Sequence, residues 1–266
     1  RLVLRSPRGS RGGCAAVTGP DPAAPGSGAL VTVGSASTLR SAPPRRPRPE
    51  VDLAALDRSG GPGVAVDRAD DDEAGLFALV DQVRRIRSLT SGGQFATELG
   101  PLTERLREVA DELEAASATP QQRLETMWSN QNYMANCPVV GRANVLAPPM
   151  EYELLEDGRL RSELTLGIEY QGPPGRVHGG FVALIFDAIL GRANHHAGTT
   201  GMTMYLDIDY RGGTPLLEPI VVTGGPVWVE GRKVWSQGAI YAGDQLCATA
   251  EGLFVRPEGW VRDGGH

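Results

Sequence analysis

The chain has 266 residues and a formal net charge of −6, which is room for one large domain or two small ones with a sizeable core. Residues 1–50 hold eight Arg against two acids, Asp21 and Glu50, so residues 51–266 carry a net charge of −12. A body that acidic argues against nonspecific nucleic-acid binding and against anionic membrane surfaces, and its longest apolar run near the middle, Phe181–Phe186, is too short to span a bilayer.

In chain order, residues 1–63 read as a disordered Arg/Pro/Gly-rich extension. The Pro43–Pro49 tract and its Gly, Ala and Ser neighbours cannot bury enough apolar surface to offset chain entropy. Ala29–Val33 is too short for the apolar core of a secretory signal. The chain begins at Arg1 and its first Met is Met127, which reads as a fragment or as translation from upstream of the natural start.

Residues 70–117 read as an accessory helical hairpin that packs on the body or on a partner subunit. Leu76, Leu79, Val83, Ile86 and Leu89 recur at three- and four-residue steps, and Leu99, Leu102, Leu106, Val109 and Leu113 repeat the pattern. Pro101 fits only the first turn of the second helix, and Arg107 with Asp111 makes an i,i+4 pair on its polar side. Residues 118–145 read as a linker, because periodicity is lost among Asn, Pro and Gly. Residues 146–257 then form the main domain, and 258–266 a tail.

Strands dominate that domain: Arg159–Tyr170, Thr203–Tyr210, Ile220–Glu230, Lys233–Tyr241 and Gln245–Val255. Met204, Leu206, Ile208 and Tyr210 alternate with Thr203, Tyr205, Asp207 and Asp209, the period of a half-buried strand. Short turns at Glu230-Gly231 and Ala242-Gly243-Asp244 make the last three strands an antiparallel meander. Between strands, Phe181–Asn194 is apolar nearly all round, as a buried helix is. The expected fold is α+β, one central helix enclosed by an antiparallel sheet.

The anomaly in that helix is Asp187. An ionised carboxylate on an apolar helix costs several kcal/mol unless it is paired. Arg192 lies five residues on, outside the i+3/i+4 reach, and a mid-helix residue is no N-cap. The second signal is the helix start, Gly172-Pro-Pro-Gly-Arg-Val177-His178-Gly179-Gly180. Glycines there let a ligand approach unpaired backbone N–H groups at the positive end of the helix dipole, a setting for the oxyanion of acyl transfer. His178 and Asp187 stand nine residues apart, roughly 13 Å along one helix and half a turn out of phase. They share a site only if a second chain's helix runs antiparallel beside the first, so the spacing predicts a two-fold dimer.

With these residues on view, Val177-His178-Gly179-Gly180-Phe181 through Asp187, followed by Leu190-Gly191, resembles the His-Gly-Gly-x6-Asp signature of hotdog-fold acyl-CoA thioesterases of the PaaI type, in the 4-hydroxybenzoyl-CoA thioesterase superfamily. The Gly-Pro-Pro-Gly lead-in and the closing Ala250–Val255 strand are similar to the THEM-type members. The resemblance covers residues 146–257, under half the chain. It implies a hotdog fold, a long helix wrapped by a curved antiparallel sheet, paired into homodimers and often homotetramers. It further implies Asp187 as general base or nucleophile against the thioester carbonyl. Gly179, with Gly180, would hold the carbonyl oxygen through backbone N–H groups, His178 would orient the thioester, and Thr203 would position the attacking water. Neither metal nor organic cofactor is implied, coenzyme A being part of the substrate.

Two departures stand out. Some relatives carry an Asn six residues before the His, where this chain has Gly172; Asn136, Asn144 or a water takes its place. The Arg211-Gly-Gly-Thr214 turn is less rich in Pro and Arg than in relatives, leaving Arg211, Arg232 and Lys233 as candidates for the nucleotide phosphates. Phe181 and Leu184 are expected to line the acyl pocket. His195 and His196 are adjacent, point about 100° apart, and suit a helix C-terminus better than a metal. Trp228 and Trp235 read as cross-strand packing.

The leading reading is therefore hydrolysis of an acyl-CoA, with no nucleic-acid or membrane partner. A non-catalytic acyl-CoA-binding module would be expected to lack Asp187. A hydratase of the same fold would place its Asp and His about five residues apart. Cys14, Cys137 and Cys247 are odd in number and lack C-x-x-C spacing, which points to a reducing cytoplasm and away from disulfides or zinc. One Lys against 25 Arg points to a GC-rich bacterial source.

Overall fold

The structure is a computed structural model and describes residues 3–5, 64–66, 74–127 and 135–258. All of the described residues belong to one compact unit. The expectations of disorder over most of 1–63 and of a tail from Gly259 onward fall outside the described residues. Three residues of the extension differ from expectation: Val3–Arg5 form a short strand, β1. A second, β2, is Val64–Val66.

Three helices follow: α1 (Ala74–Thr90), α2 (Gly100–Ala116) and α3 (Pro120–Met127). The first two do not close into the expected hairpin. The face of α1 turned to the body carries Phe77, Val80, Arg84 and Arg87, while the Leu76, Val83, Ile86 and Leu89 stripe faces outward. Leu99, Leu102, Leu106, Val109 and Leu113 are exposed too, and α2 buries none of its residues. Pro101 does sit in its first turn, but Arg107 pairs back to Glu104 rather than forward to Asp111. Helix α3 lies in the expected linker, and its signal is a capping box. The Gln122 N–H donates to Thr119 Oγ1 at 3.3 Å, and the Thr119 N–H to Gln122 Oε1 at 3.0 Å.

The body is one sheet with one helix laid across it. Its strands are β3 (Tyr152–Leu154), β4 (Leu160–Thr165), β5 (Met202–Tyr210), β6 (Pro219–Glu230), β7 (Lys233–Ala242) and β8 (Gln245–Val255). The sheet order is β1-β5-β8-β7-β6-β4-β3-β2, antiparallel throughout except for β1 on β5. β6, β7 and β8 form the expected meander, and Trp228 stacks on Trp235 across its first hairpin with ring centroids 4.5 Å apart. The expected strand 159–170 ends at Thr165 and gives way to a 3₁₀ turn, Ile168–Tyr170.

Helix α4 (Gly179–His196) fills the concave side. Its start is capped by His178, and Gly198, with φ +69°, receives the chain in the left-handed conformation just past its end. Ile185, Phe186, Ile189 and Leu190 are fully buried against Ile220, Val222, Ile240 and Phe254. The helix can lie this close because glycines stand beneath Leu190: a Cβ on Gly224 would come within 2.6 Å of its Cδ2, and one on Gly238 within 3.3 Å. A polar anchor joins the same interface, Ser236 Oγ donating to Asn194 Oδ1 at 2.7 Å. The helix is not buried all round, however. Phe181, Leu184, Asp187, Ala188 and Gly191 are only half-buried and leave one side open in the single chain.

Candidate active site

The open side of α4 carries the expected acid. Asp187 is half-buried, and Thr203 Oγ1 donates to its Oδ1 at 2.7 Å. Simple alternation would have turned Thr203 outward with Tyr205, Asp207 and Asp209. A β-bulge intervenes: Thr203 pairs with Phe254 and Tyr205 with Leu253, so Met204 is the extra residue. That single insertion reverses the pleat and puts Thr203 on the same face as Leu206 and the buried Phe254. It also leaves Met204, expected on the inner face, 58% exposed. Together Asp187, Thr203, Ala183, Leu184, Met204 and Leu206 line an open, mostly apolar pocket.

The second half of the site is the start of α4. His178 is exposed, has φ −61° and ψ 131°, and accepts the Gly180 N–H on Nδ1 at 3.0 Å. Its Nε2 therefore carries the proton in the neutral ring. Gly180 is thus engaged within the turn, whereas no described residue accepts the N–H of Gly179. The Gly179 carbonyl receives the Tyr210 hydroxyl at 2.7 Å, which fixes the peptide from the β5 side. Gly172 belongs to a tight turn whose N–H donates to the Arg176 carbonyl at 2.9 Å. A Cβ on it would lie 2.7 Å from His178 Cα, so the turn has no space for the Asn found in some relatives. Neither Asn136 nor Asn144 is brought to Asp187. Asn144 donates to the Asn136 carbonyl at 2.9 Å and accepts the Leu146 N–H, holding its own loop.

Other expected contributors are dispersed. Val177 is buried in the core, and Phe181 packs its ring edge-on to Tyr170 at 4.9 Å, so of the two expected acyl-pocket side chains only Leu184 lines the Asp187 pocket. Arg211 follows Tyr210 at the Gly179 end of β5 and pairs with Asp209 at 2.7 Å. Arg232 pairs with Glu258 at 3.2 Å, and Lys233 lies opposite Val255, which pairs with Met202 at the other end of β5. Within one chain the length of β5, about 25 Å, therefore separates Arg211 from Arg232 and Lys233. His195 and His196 occupy the last turn of α4, and burial, then Arg192, pushes both below the usual imidazole range. Both stand at the helix C-terminus, as expected. Among the described residues no cluster of three His, Cys, Asp or Glu is placed to hold a metal ion. Burial raises the Cys247 thiol, which makes it a poor nucleophile. No helix among the described residues is long and apolar enough to cross a membrane.

Sequence reasoning passed over Tyr210 and Tyr170. Tyr210 was one member of an apolar alternation, and nothing local marks a phenol that reaches a glycine carbonyl 31 residues before it.

A helix on an antiparallel sheet, with an acid and a capped glycine start, defines a class. No family model matches the chain. Among curated proteins it is similar to the acyl-coenzyme A thioesterase THEM4 of Rattus norvegicus, 38% identical over 92 residues that cover 34% of this chain and 40% of that protein. The THEM4 of Mus musculus is 37% identical over 92 residues, with the same coverage. The chain thus spans about two fifths of the length of these curated relatives. A solved thioesterase superfamily protein is 39% identical with a TM-score of 0.64, the match covering 73% of this chain and 96% of that one. The chain belongs to the thioesterase superfamily and has its α+β hotdog fold.

Proposed function

We propose that the protein hydrolyses an acyl-CoA thioester to the free acid and coenzyme A, in a site built from two chains. The observation that carries the reading is the 2.7 Å hydrogen bond from Thr203 to Asp187 at the open side of a helix whose Gly179 N–H has no partner among the described residues. The acyl-CoA substrate is the one in the name of the THEM4 relatives. The His178-Gly179-Gly180-x6-Asp187 spacing supports a PaaI-type arrangement.

The chemistry follows from what each group can do. Thr203 holds Oδ1 of Asp187, and the carboxylate takes a proton from water as the hydroxide attacks the thioester carbonyl. The oxyanion that develops receives the Gly179 N–H at the positive end of α4. As the tetrahedral intermediate collapses, the C–S bond breaks and the CoA thiolate leaves with the proton that Asp187 took from water, which restores the carboxylate. Direct attack by Asp187 would give an acyl-enzyme anhydride instead, opened by water in a second step. His178, with the proton on Nε2, orients the thioester, and Leu184 and its apolar neighbours receive the acyl chain. The chain's own residues supply all of this, and no metal or organic cofactor enters.

Two chains are required because Gly179 and Asp187 lie eight residues apart, about 12 Å along one axis. A second α4, running antiparallel against the open Leu184, Asp187, Ala188 and Gly191 face, brings one chain's Gly179 to the other's Asp187. The same pairing sets the Arg211 end of one chain beside the Arg232 and Lys233 end of the other, where the nucleotide phosphates would lie across both. The test is thiol release from short, medium, long and aromatic acyl-CoAs by the wild type and Asp187→Asn. Turnover that falls at least about a hundredfold in the variant supports the reading. Equal turnover in both places the chemistry elsewhere, and binding without turnover in either points to a module that only holds acyl-CoA.

A further inference from the structure

Two arginines hold α1 to the body, and they reach different targets. Arg84 donates to the carbonyls of Gly141 at 3.1 Å and Asn144 at 2.8 Å. Arg87 donates to the Val145 carbonyl and to the Tyr170 hydroxyl at 2.8 Å, and lies 3.5 Å from Glu169 Oε1. One planar fork serves three acceptors from two nitrogens held in fixed geometry, an arrangement that the point charge of a lysine ammonium does not reproduce.

Tyr170 is 2% exposed and links this fork to the start of α4. Its carbonyl accepts the His178 N–H at 2.8 Å, and its ring meets Phe181 edge-on. Arg87 thus fixes the hydroxyl end of a side chain whose backbone holds the residue before Gly179 and whose ring packs on the residue two after it. A donor aimed at a developing oxyanion tolerates little error, since a shift of about 1 Å costs on the order of a hundredfold in rate.

Resting on the thioesterase reading above, we propose that Arg87 is a positioning residue of the site. It acts through Tyr170 to hold the His178-Gly179 turn and Phe181, which makes α1 a strap on the active site rather than an appendage.

The test compares Arg87→Met, Arg87→Lys, Tyr170→Phe and Arg84→Met in the full chain, by hydrogen exchange across residues 170–182 and by kcat and KM. Arg87→Met and Tyr170→Phe are expected to speed exchange of the His178 amide and to lower kcat about tenfold, with KM nearly unchanged. Arg87→Lys falls between them and wild type, and the Arg87→Met/Tyr170→Phe double variant is no worse than either single one. Arg84→Met loosens the 141–145 loop but spares both readouts. Equal effects from Arg84→Met and Arg87→Met, or wild-type exchange and kcat in Arg87→Met, would overturn the proposal. Should Arg87→Met fail to fold, Tyr170→Phe and Arg87→Lys decide the matter. A wild type that turns over no acyl-CoA sinks the thioesterase reading alone, because exchange at His178 still reports on the strap.

Discussion

Replacing Gly179 with Pro deletes the one backbone N–H that the proposed mechanism needs and disturbs little else. Gly179 is the first residue of α4, where an N–H has no helical acceptor and proline is tolerated. The residue before a proline must be extended, and His178 already is, at φ −61° and ψ 131°. The added Cβ would stand 3.3 Å from Tyr210 Oη, a contact that a small shift of the phenol relieves. Gly179→Ala introduces the same Cβ and keeps the N–H, so the ratio of the two variants isolates the donor. Removing one oxyanion donor costs about 2.7–4 kcal/mol, or roughly 10²–10³ in kcat. Steady-state thiol release gives the ratio, and thermal melts show whether both variants stay folded. A Gly179→Pro variant within about threefold of Gly179→Ala would refute the assignment of this N–H to the oxyanion.

Thr203→Val keeps the shape of the side chain and removes its hydroxyl. A hydrogen bond to a charged group contributes about 1.5–3 kcal/mol, and this one is exposed in the single chain, so kcat/KM should fall about tenfold while Thr203→Ser stays near wild type. Gly224→Ala drives a methyl into Leu190 and should cost about 1–3 kcal/mol, seen as a lower urea midpoint at constant m; an unchanged midpoint would contradict the packing. His195 and His196 are held below 6.5 in the folded chain by burial and Arg192. The unfolded chain therefore binds more protons just below that value, and stability falls as pH drops through it. Replacing both with Gln should flatten the melting temperature between about pH 7.5 and 5.5, and an unaltered slope would assign it to other groups.

The helix and the strands were legible because their signals are periodic. Gly179–His196 announces itself as an apolar run too long for a strand, and β6 to β8 are set off by glycine turns. Asp187, His178 and Gly179 were legible as violations of that pattern. What escaped depends on single insertions or on distant partners. Nothing in Thr203-Met204-Tyr205 says that a bulge will reverse the pleat there. The outward stripe of α1 looked like its packing face because apolar residues were counted, whereas the docked face uses Arg84 and Arg87 beside Phe77 and Val80. Tyr210 acts through its hydroxyl on Gly179, and the Tyr170 hydroxyl is held by Arg87, each a pairing of groups far apart in sequence. The capping box at Thr119 and Gln122 was readable, and a linker rich in Asn and Pro hid it.

In the two-chain site, Asp187 of one chain works with Gly179 of the other. Co-expressing Asp187→Asn and Gly179→Pro chains in equal amounts tests it directly. Each variant alone should be nearly inactive. Random pairing makes half the dimers mixed, and each mixed dimer holds one intact site, so thiol release should return to roughly a quarter of wild type. Activity no higher than the mean of the separate variants would contradict the shared site and confine the chemistry to a single chain.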